Sequence, residues 1–265
     1  MATEDTAPEH APEAGGATVD LDPMHQFEIY PLVPIDIGGI DASFTNSSLW
    51  MLIAAGVVAL LLLAAPSKLV PTRLQSVGEV AYEFIANMMR DILGESGRPF
   101  FPFVFTLFMF ILAANMLGMV PYSFTVTSHI IVTFALAIVV FVGATIVGFI
   151  KNGPGYLRLF VPSGVPIVLL PLLVVIEVIS YFTRPISLSV RLFANMMAGH
   201  TMLKVFAGFV VMFGVAGAAW MPLGLAPFLL MIGLTGLEIL IAFLQAYVFA
   251  VLTCIYLNDA LNMHH

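Results

Sequence analysis

The sequence predicts an all-α membrane protein with about five transmembrane helices, an amphipathic surface helix, and two long, strongly tilted C-terminal helices that form a hairpin. Composition is the first reason, because 60% of the 265 residues are hydrophobic and only 9% are charged, whereas a soluble domain carries about 25% charged residues. The second reason is a series of apolar runs, each long enough to cross the ~30 Å hydrocarbon core of a bilayer. The third is the length of the last two runs, which exceeds that thickness.

Residues 1–26 are predicted to form a flexible acidic tail, followed by a single membrane domain at residues 27–265. Nine of the 16 Asp and Glu residues lie in residues 1–41, where there is no Lys or Arg. Low hydrophobicity and unbalanced charge are typical of a disordered segment. Secretory signals and mitochondrial presequences carry positive charge, so the tail is unlike either of them.

Three spans of ordinary length are predicted at residues 48–65, 100–120 and 129–150. Between the first two, apolar side chains in residues 72–93 recur at helical spacing, with the charged side chains elsewhere on the helical wheel. That pattern is typical of a helix on the membrane surface. The predicted apolar stripe consists of Leu74, Val77, Ala81, Phe84, Met88 and Ile92.

The Lys and Arg residues before the hairpin fall in the loops that follow the first and third spans. Cytoplasmic loops are enriched in Lys and Arg, so both loops are expected in the cytoplasm. The N-terminus is then outside, and the C-terminus is in the cytoplasm. The residues concerned are Lys68, Arg73, Arg90, Arg98, Lys151 and Arg158.

The two long helices are predicted at residues 165–213 and 225–257, joined by the Gly-rich turn GVAGAAWMPLG. At 1.5 Å per residue they would be ~73 and ~50 Å long. They therefore cannot stand upright in the bilayer, and we expect them to be tilted, broken or partly outside the lipid. Pro185 is the expected site of a kink.

Helical geometry places most polar side chains of the first long helix on one stripe. At ~100° per residue, Glu177, Arg184, Arg191 and Asn195 lie close together on the wheel, and His200 lies opposite Arg191. Arg184 is near the end of a span and is expected to extend to the interface. Arg191 is deeper, where an arginine costs at least ~2.5 kcal/mol, so a functional role is expected. Asn195 has a second interpretation, as a hydrogen bond between helices.

The antiparallel hairpin also predicts which side chains lie at the same level. With the turn near residue 218, Arg191 is level with Gln245, and His200 is level with Glu238. Glu177 lies nearer the cytoplasmic side. An intramembrane carboxylate beside an imidazole, which titrates near neutrality, indicates a proton relay.

No cofactor, metal or nucleic acid is predicted. The sequence contains no Gly-rich phosphate loop, HExxH or CxxC motif, and His200 with Glu238 alone would not define a metal site. One alternative is a stand-alone secondary transporter with a buried arginine for an anionic substrate, although the repeated halves of such folds are not evident. A second alternative, an intramembrane hydrolase, lacks a nucleophile motif such as GxSxG.

Three segments resemble the a subunit of F-type ATP synthase. They are NMLGMVPYSFTVTSHI at residues 115–130, RPISLSVRLFANMMAGH at residues 184–200 and LEILIAFLQAYVFAVLTCIYL at residues 237–257. The resemblance implies a stator subunit of the Fo sector beside a rotating ring of c subunits. Its other implied partners are peripheral-stalk b-type subunits, the F1 sector indirectly, and the lipid of a bacterial inner membrane. It implies no enzymatic site on this chain alone, and it leaves open whether the ion is H⁺ or Na⁺.

The resemblance also assigns roles to hairpin residues. Arg191 matches the essential arginine that faces the ring, and Asn195 and Gln245 match polar residues at its level. His200 and Glu238 match the pair of the outer half-channel. In a common bacterial pattern the acid and the histidine are exchanged between these two positions, so this chain resembles the mitochondrial version.

The mechanism implied by the resemblance uses two aqueous half-channels. Protons would enter past His200 and Glu238, protonate a ring carboxylate, and leave near Glu177, which matches the inner acid of the family. A protonated carboxylate can face lipid at much lower cost than a charged one. Arg191 would separate the half-channels, because a guanidinium cannot give up its proton and so cannot relay one.

Overall fold

A computed structural model of the chain describes residues 24–34, 36–37, 40–41, 43–63, 72–120, 123–161, 169–217 and 219–262. Within these residues, five helical stretches are long and apolar enough to cross a membrane, which confirms the predicted fold class. The α-helices are α1 (Asn46–Leu63), α2 (Arg73–Leu93), α3 (Phe101–Gly118), α4 (Ile130–Asn152), α5 (Leu170–Val215) and α6 (Met221–Leu261). Residues 1–23 of the predicted tail lie outside the described residues.

Short strands precede α1 and were not predicted. The strands β1 (Pro31–Val33), β2 (Asp36–Ile37), β3 (Ile40–Asp41) and β4 (Phe44–Thr45) form two antiparallel pairs, β1 with β4 and β2 with β3. Asn46 connects this segment to α1, because its side chain accepts a hydrogen bond from the Tyr30 backbone and donates one to the Glu28 carbonyl.

The amphipathic helix α2 is covered by protein along one side. Ile85, Met89 and Leu93 are buried, whereas Val77 is 57% exposed, and α2 packs against α3 and α6. The predicted stripe is therefore displaced by about one residue: among its members whose burial the structure describes, Met88 is buried, Ala81 and Ile92 are half-buried, and Val77 and Phe84 are exposed. A helix with apolar residues on more than one side can face protein and lipid at once, which the sequence pattern did not separate.

The core lies where α6 crosses α3 and α4. Small side chains at four-residue spacing on α6 are fully buried there and allow close helix packing. Opposite them, Phe108 and Ile111 of α3 and Val140 of α4 are almost inaccessible. The small residues of α6 are Ala242, Ala246, Ala250 and Cys254.

The two long helices form the predicted hairpin. α5 has 46 residues and α6 has 41, so each is at least about twice as long as the hydrocarbon core is thick. The turn includes Gly217 at φ 113°, a backbone conformation that favours glycine. Helix α5 continues through the buried Pro185, so the helix is not broken at this proline.

Candidate functional site

His200 and Glu238 meet between α5 and α6, as the hairpin register predicts. His200 Nδ1 lies 3.2 Å from Glu238 Oε1, and the two residues are 8% and 4% exposed. The atoms are within ion-pair distance, but their angles are not those of a hydrogen bond. Keeping a buried carboxylate charged costs free energy when it accepts no hydrogen bond. A carboxyl group in such a site is expected to bind and release a proton.

Gly199 makes room for the Glu238 carboxylate. A Cβ atom at position 199 would lie 2.8 Å from Glu238 Oε1, closer than van der Waals contact allows. The glycine before His200 therefore lets the acid approach α5 beside the imidazole. The sequence analysis did not identify this requirement.

Arg191 lies on the opposite, exposed side of α5. One flank of the helix is buried through Leu188, Leu192 and Met196, whereas Arg191 is exposed and Val190 beside it is 42% exposed. Among the residues that the structure describes, no carboxylate lies within ion-pair distance of Arg191. Because α5 is a continuous helix from Leu170 to Val215, Arg191 and His200 lie on opposite sides of it, as predicted.

The other predicted site residues are half-buried. Glu177, Asn195 and Gln245 each have intermediate exposure, and no hydrogen bond between their side chains and Arg191 is present within the described part of the chain. The level shared by Arg191 and Gln245 therefore stays a prediction, and the interpretation of Asn195 as a hydrogen bond between helices gains no support.

Arg184, one of the stripe residues, is held by α6. Its Nη1 donates to Asp259 Oδ2 at 2.9 Å, and its guanidinium lies 5.6 Å and 5.4 Å from the ring centres of Tyr181 and Tyr256. We call these four residues the arginine clamp. The expected extension of Arg184 to the interface stays a prediction, and the structure adds a carboxylate partner that the sequence analysis did not assign to it. The hairpin register places Asp259 about two turns from the level of Arg184, so the register alone did not predict this pair.

Hydrogen bonds join the clamp to the rest of the fold. Tyr181 Oη lies 2.6 Å from Thr145 Oγ1 of α4 and 3.1 Å from Tyr156 Oη. Nearby, Asn152 donates to the Ala260 carbonyl of α6 at 2.7 Å. The hairpin ends near Tyr181 and Ala260 are therefore fixed to α4.

Buried polar atoms without a hydrogen-bond partner concentrate away from the clamp. Among the described residues they are Asn115 Oδ1, Thr127 Oγ1, His129 Nε2, His200 Nε2 and both carboxylate oxygens of Glu238. Asn115 is fully buried and donates its Nδ2 to the Ala242 carbonyl, one turn beyond Glu238, at 3.1 Å. The turn Val126–Ser128, which contains Thr127, contacts α5. Buried polar groups of this kind usually bind water.

Comparison with known proteins identifies the family. Residues 48–258 match the family model described as ATP synthase A chain. The chain belongs to the family of ATP synthase a subunits. The matched region contains every predicted site residue of the hairpin.

Relatives in this family are similar over almost their whole length. The a subunit of Pelagibacter ubique is 60% identical over 246 residues, which is 92% of this chain and 98% of the relative. That of Parvibaculum lavamentivorans is 59% identical over 258 residues, covering 96% and 98%. That of a Chelativorans species is 61% identical over 246 residues, covering 92% and 99%.

Membership of the a-subunit family decides between the functions considered. These subunits are the proton-channel stators of the Fo sector, so the chain is a proton-translocating, multi-pass protein of the inner membrane. The alternative of a stand-alone secondary transporter is not supported.

Proposed function

We propose that the two sides of α5 divide the work of proton translocation. On one side, His200 and Glu238 load protons from an outer half-channel. On the other side, Arg191 meets the carboxylates of a ring of c subunits, and Glu177 accepts the released proton for the inner half-channel. The observation that carries this proposal is the contrast between a buried acid–imidazole pair and an exposed guanidinium on opposite sides of one helix.

The lack of a described ion-pair partner for the Arg191 guanidinium supports a partner outside this chain. A permanent cation in the membrane is costly unless it is paired, and Arg191 lacks an ion-pair partner among the described residues. A ring carboxylate would supply the missing charge each time it arrives. Asn195 and Gln245 would provide polar support at this level.

The unpartnered polar atoms support the position of the outer half-channel. Asn115, Thr127 and His129 lie near the end of α3 and in the connection to α4, and their free atoms would bind water on the way to Glu238. The N-terminus is then periplasmic, and the C-terminus is cytoplasmic. Nucleotide chemistry takes place on other subunits, and peripheral-stalk subunits hold this chain against rotation.

Cysteine cross-linking tests the proposed ring-facing side. In the assembled complex, Val190→Cys should form a disulfide with a cysteine introduced beside the ring carboxylate. The matched control is Ile146→Cys on α4, which is also exposed, at 51%, and should not cross-link. The native Cys254 is fully buried and does not compete. Cross-linking of position 146 but not of position 190 would contradict the proposed orientation.

A further inference from the structure

A cavity of about 440 Å³ lies where α2 ends and α3 begins. Two glycines shape the corner: Gly94 has φ 59°, and a Cβ atom at Gly97 would lie 2.6 Å from Leu93 Cβ. The volume is within the range of about 300–1,000 Å³ that is typical of small-molecule sites. Its lining includes Tyr82, Arg90, Glu95, Arg98 and Phe101.

The charged side chains around this cavity carry both signs. Arg98 Nε lies 2.9 Å from Glu95 Oε2, and the two side chains are 76% and 73% exposed. Arg90 is exposed, and no acidic partner for it lies within ion-pair distance among the described residues. The cavity therefore offers two guanidinium groups, which bind phosphate well, and one carboxylate that can accept from an ammonium group.

The other side of the cavity is aromatic and leads towards the membrane span. The Tyr82 and Phe101 ring centres are 4.6 Å apart, and Phe101 stacks on Phe105 one turn further along α3 at 5.5 Å. Tyr82 is 53% exposed. Since α3 is an apolar span, this row begins at the level where amphipathic aromatic side chains usually meet lipid headgroups.

We propose that this cavity binds the headgroup of a zwitterionic membrane phospholipid, of the phosphoethanolamine class. The phosphate contacts Arg90 and Arg98, the ammonium group contacts Glu95, and the acyl chains follow the aromatic row along α3. Basic pockets beside membrane spans are known to bind the phosphates of lipid headgroups. The mixed charge favours a headgroup with both signs over a purely anionic one. The site is separate from the residues that translocate protons.

Lipid analysis of the purified complex tests this site. After washing in mild detergent, phosphatidylethanolamine retained per complex is measured by mass spectrometry. Arg90→Ala should lower the tightly held lipid about tenfold, the effect of losing one charge-assisted contact. Arg73→Ala, an exposed arginine of α2 outside the cavity, is the control and should retain it. Equal lipid in the Arg90→Ala and unsubstituted complexes would overturn the proposal.

Two further experiments identify the source of the bound phosphate and the role of the Glu95 carboxylate. Soluble phosphoethanolamine should not displace the retained lipid, and displacement by it would overturn the assignment to a membrane lipid. Glu95→Gln should shift retention from phosphatidylethanolamine to phosphatidylglycerol, and an unchanged preference would overturn the ammonium contact. Loss of a peripheral-stalk subunit from the Arg90→Ala complex, with lipid unchanged, would show a protein contact instead.

Discussion

Arg184 and Arg191 lie two turns apart on α5 but have different surroundings. Arg184 is paired with Asp259 at 2.9 Å and lies against two tyrosine rings. Arg191 is exposed, and no described carboxylate is within ion-pair distance of it. The arginine at position 184 is thus held by contacts within the chain, whereas the arginine at position 191 is exposed.

This difference is consistent with separate roles for the two arginines of α5. The Arg184 guanidinium is neutralised by Asp259 and joins α5 to α6. Its charge is therefore not available to pair with a ring carboxylate. Under the proposed function, the counter-charge of Arg191 comes from a carboxylate outside the chain.

Substitution of the two arginines should give the largest contrast. Arg191→Lys should abolish ATP-driven proton pumping in inverted membrane vesicles, because a compact ammonium group binds differently and can lose its proton. Arg184→Lys keeps a charge beside Asp259 and should retain most of the pumping. Coupled pumping in the Arg191→Lys variant would contradict the proposed charge barrier.

Exchange of the buried pair tests whether His200 and Glu238 act together. Glu238→His or His200→Glu alone places two like groups side by side. Either should slow passive proton flux through Fo by at least about tenfold, since a positioned acid or base contributes 10²–10⁴-fold. The double exchange should recover part of the flux because it restores one acid and one imidazole. A double variant no faster than either single variant would argue against a shared relay.

Glycine substitutions should have a smaller effect on the same path. Gly199→Ala brings a Cβ atom to 2.8 Å from Glu238 Oε1, whereas Gly233→Ala on α6 meets nothing within 4 Å. The first should reduce proton flux several-fold in an assembled complex, because the carboxylate must move away from the imidazole. The second should leave flux unchanged. Equal flux in both variants would show that the tight approach at Gly199 is not needed.

The clamp should have the smallest measurable effect. The side chains of Arg184 and Asp259 are 24% and 36% exposed, so solvent weakens their ion pair. The coupling free energy of this pair is expected to be about 0.5–1 kcal/mol. A double-mutant cycle of Arg184→Ala and Asp259→Ala, followed by the denaturation midpoint, measures that coupling. Additive effects of the two substitutions would show that the pair contributes no stability.

The fold was largely predictable because membrane spans are marked by length and by uninterrupted apolar residues. The hairpin register also predicted the meeting of His200 and Glu238, since an antiparallel pair fixes levels to about one turn. Burial was harder to predict. Lipid and protein neighbours are both apolar, so the pattern in α2 did not show that Ile85 and Met89 are covered while Val77 is exposed.

The contacts that escaped prediction involve single polar residues far apart in the sequence. Asp259 pairs with Arg184 across 75 residues of sequence. Asn115 was noted only as part of a resembling segment, although it contacts α6 through a carbonyl 127 residues away. No local period marks such pairs. The β strands before α1 are only two or three residues long, too short to produce an alternating pattern.

The most direct measurement is the distance between the Arg191 guanidinium and the nearest ring carboxylate in a cryo-electron microscopy map of the assembled complex. The account predicts that Arg191 faces the ring and contacts one carboxylate, either directly or through a single water molecule. It also predicts that His200 and Glu238 lie on the far side of α5. A map in which Arg191 points into lipid, or in which the His200 side of α5 faces the ring, would contradict it.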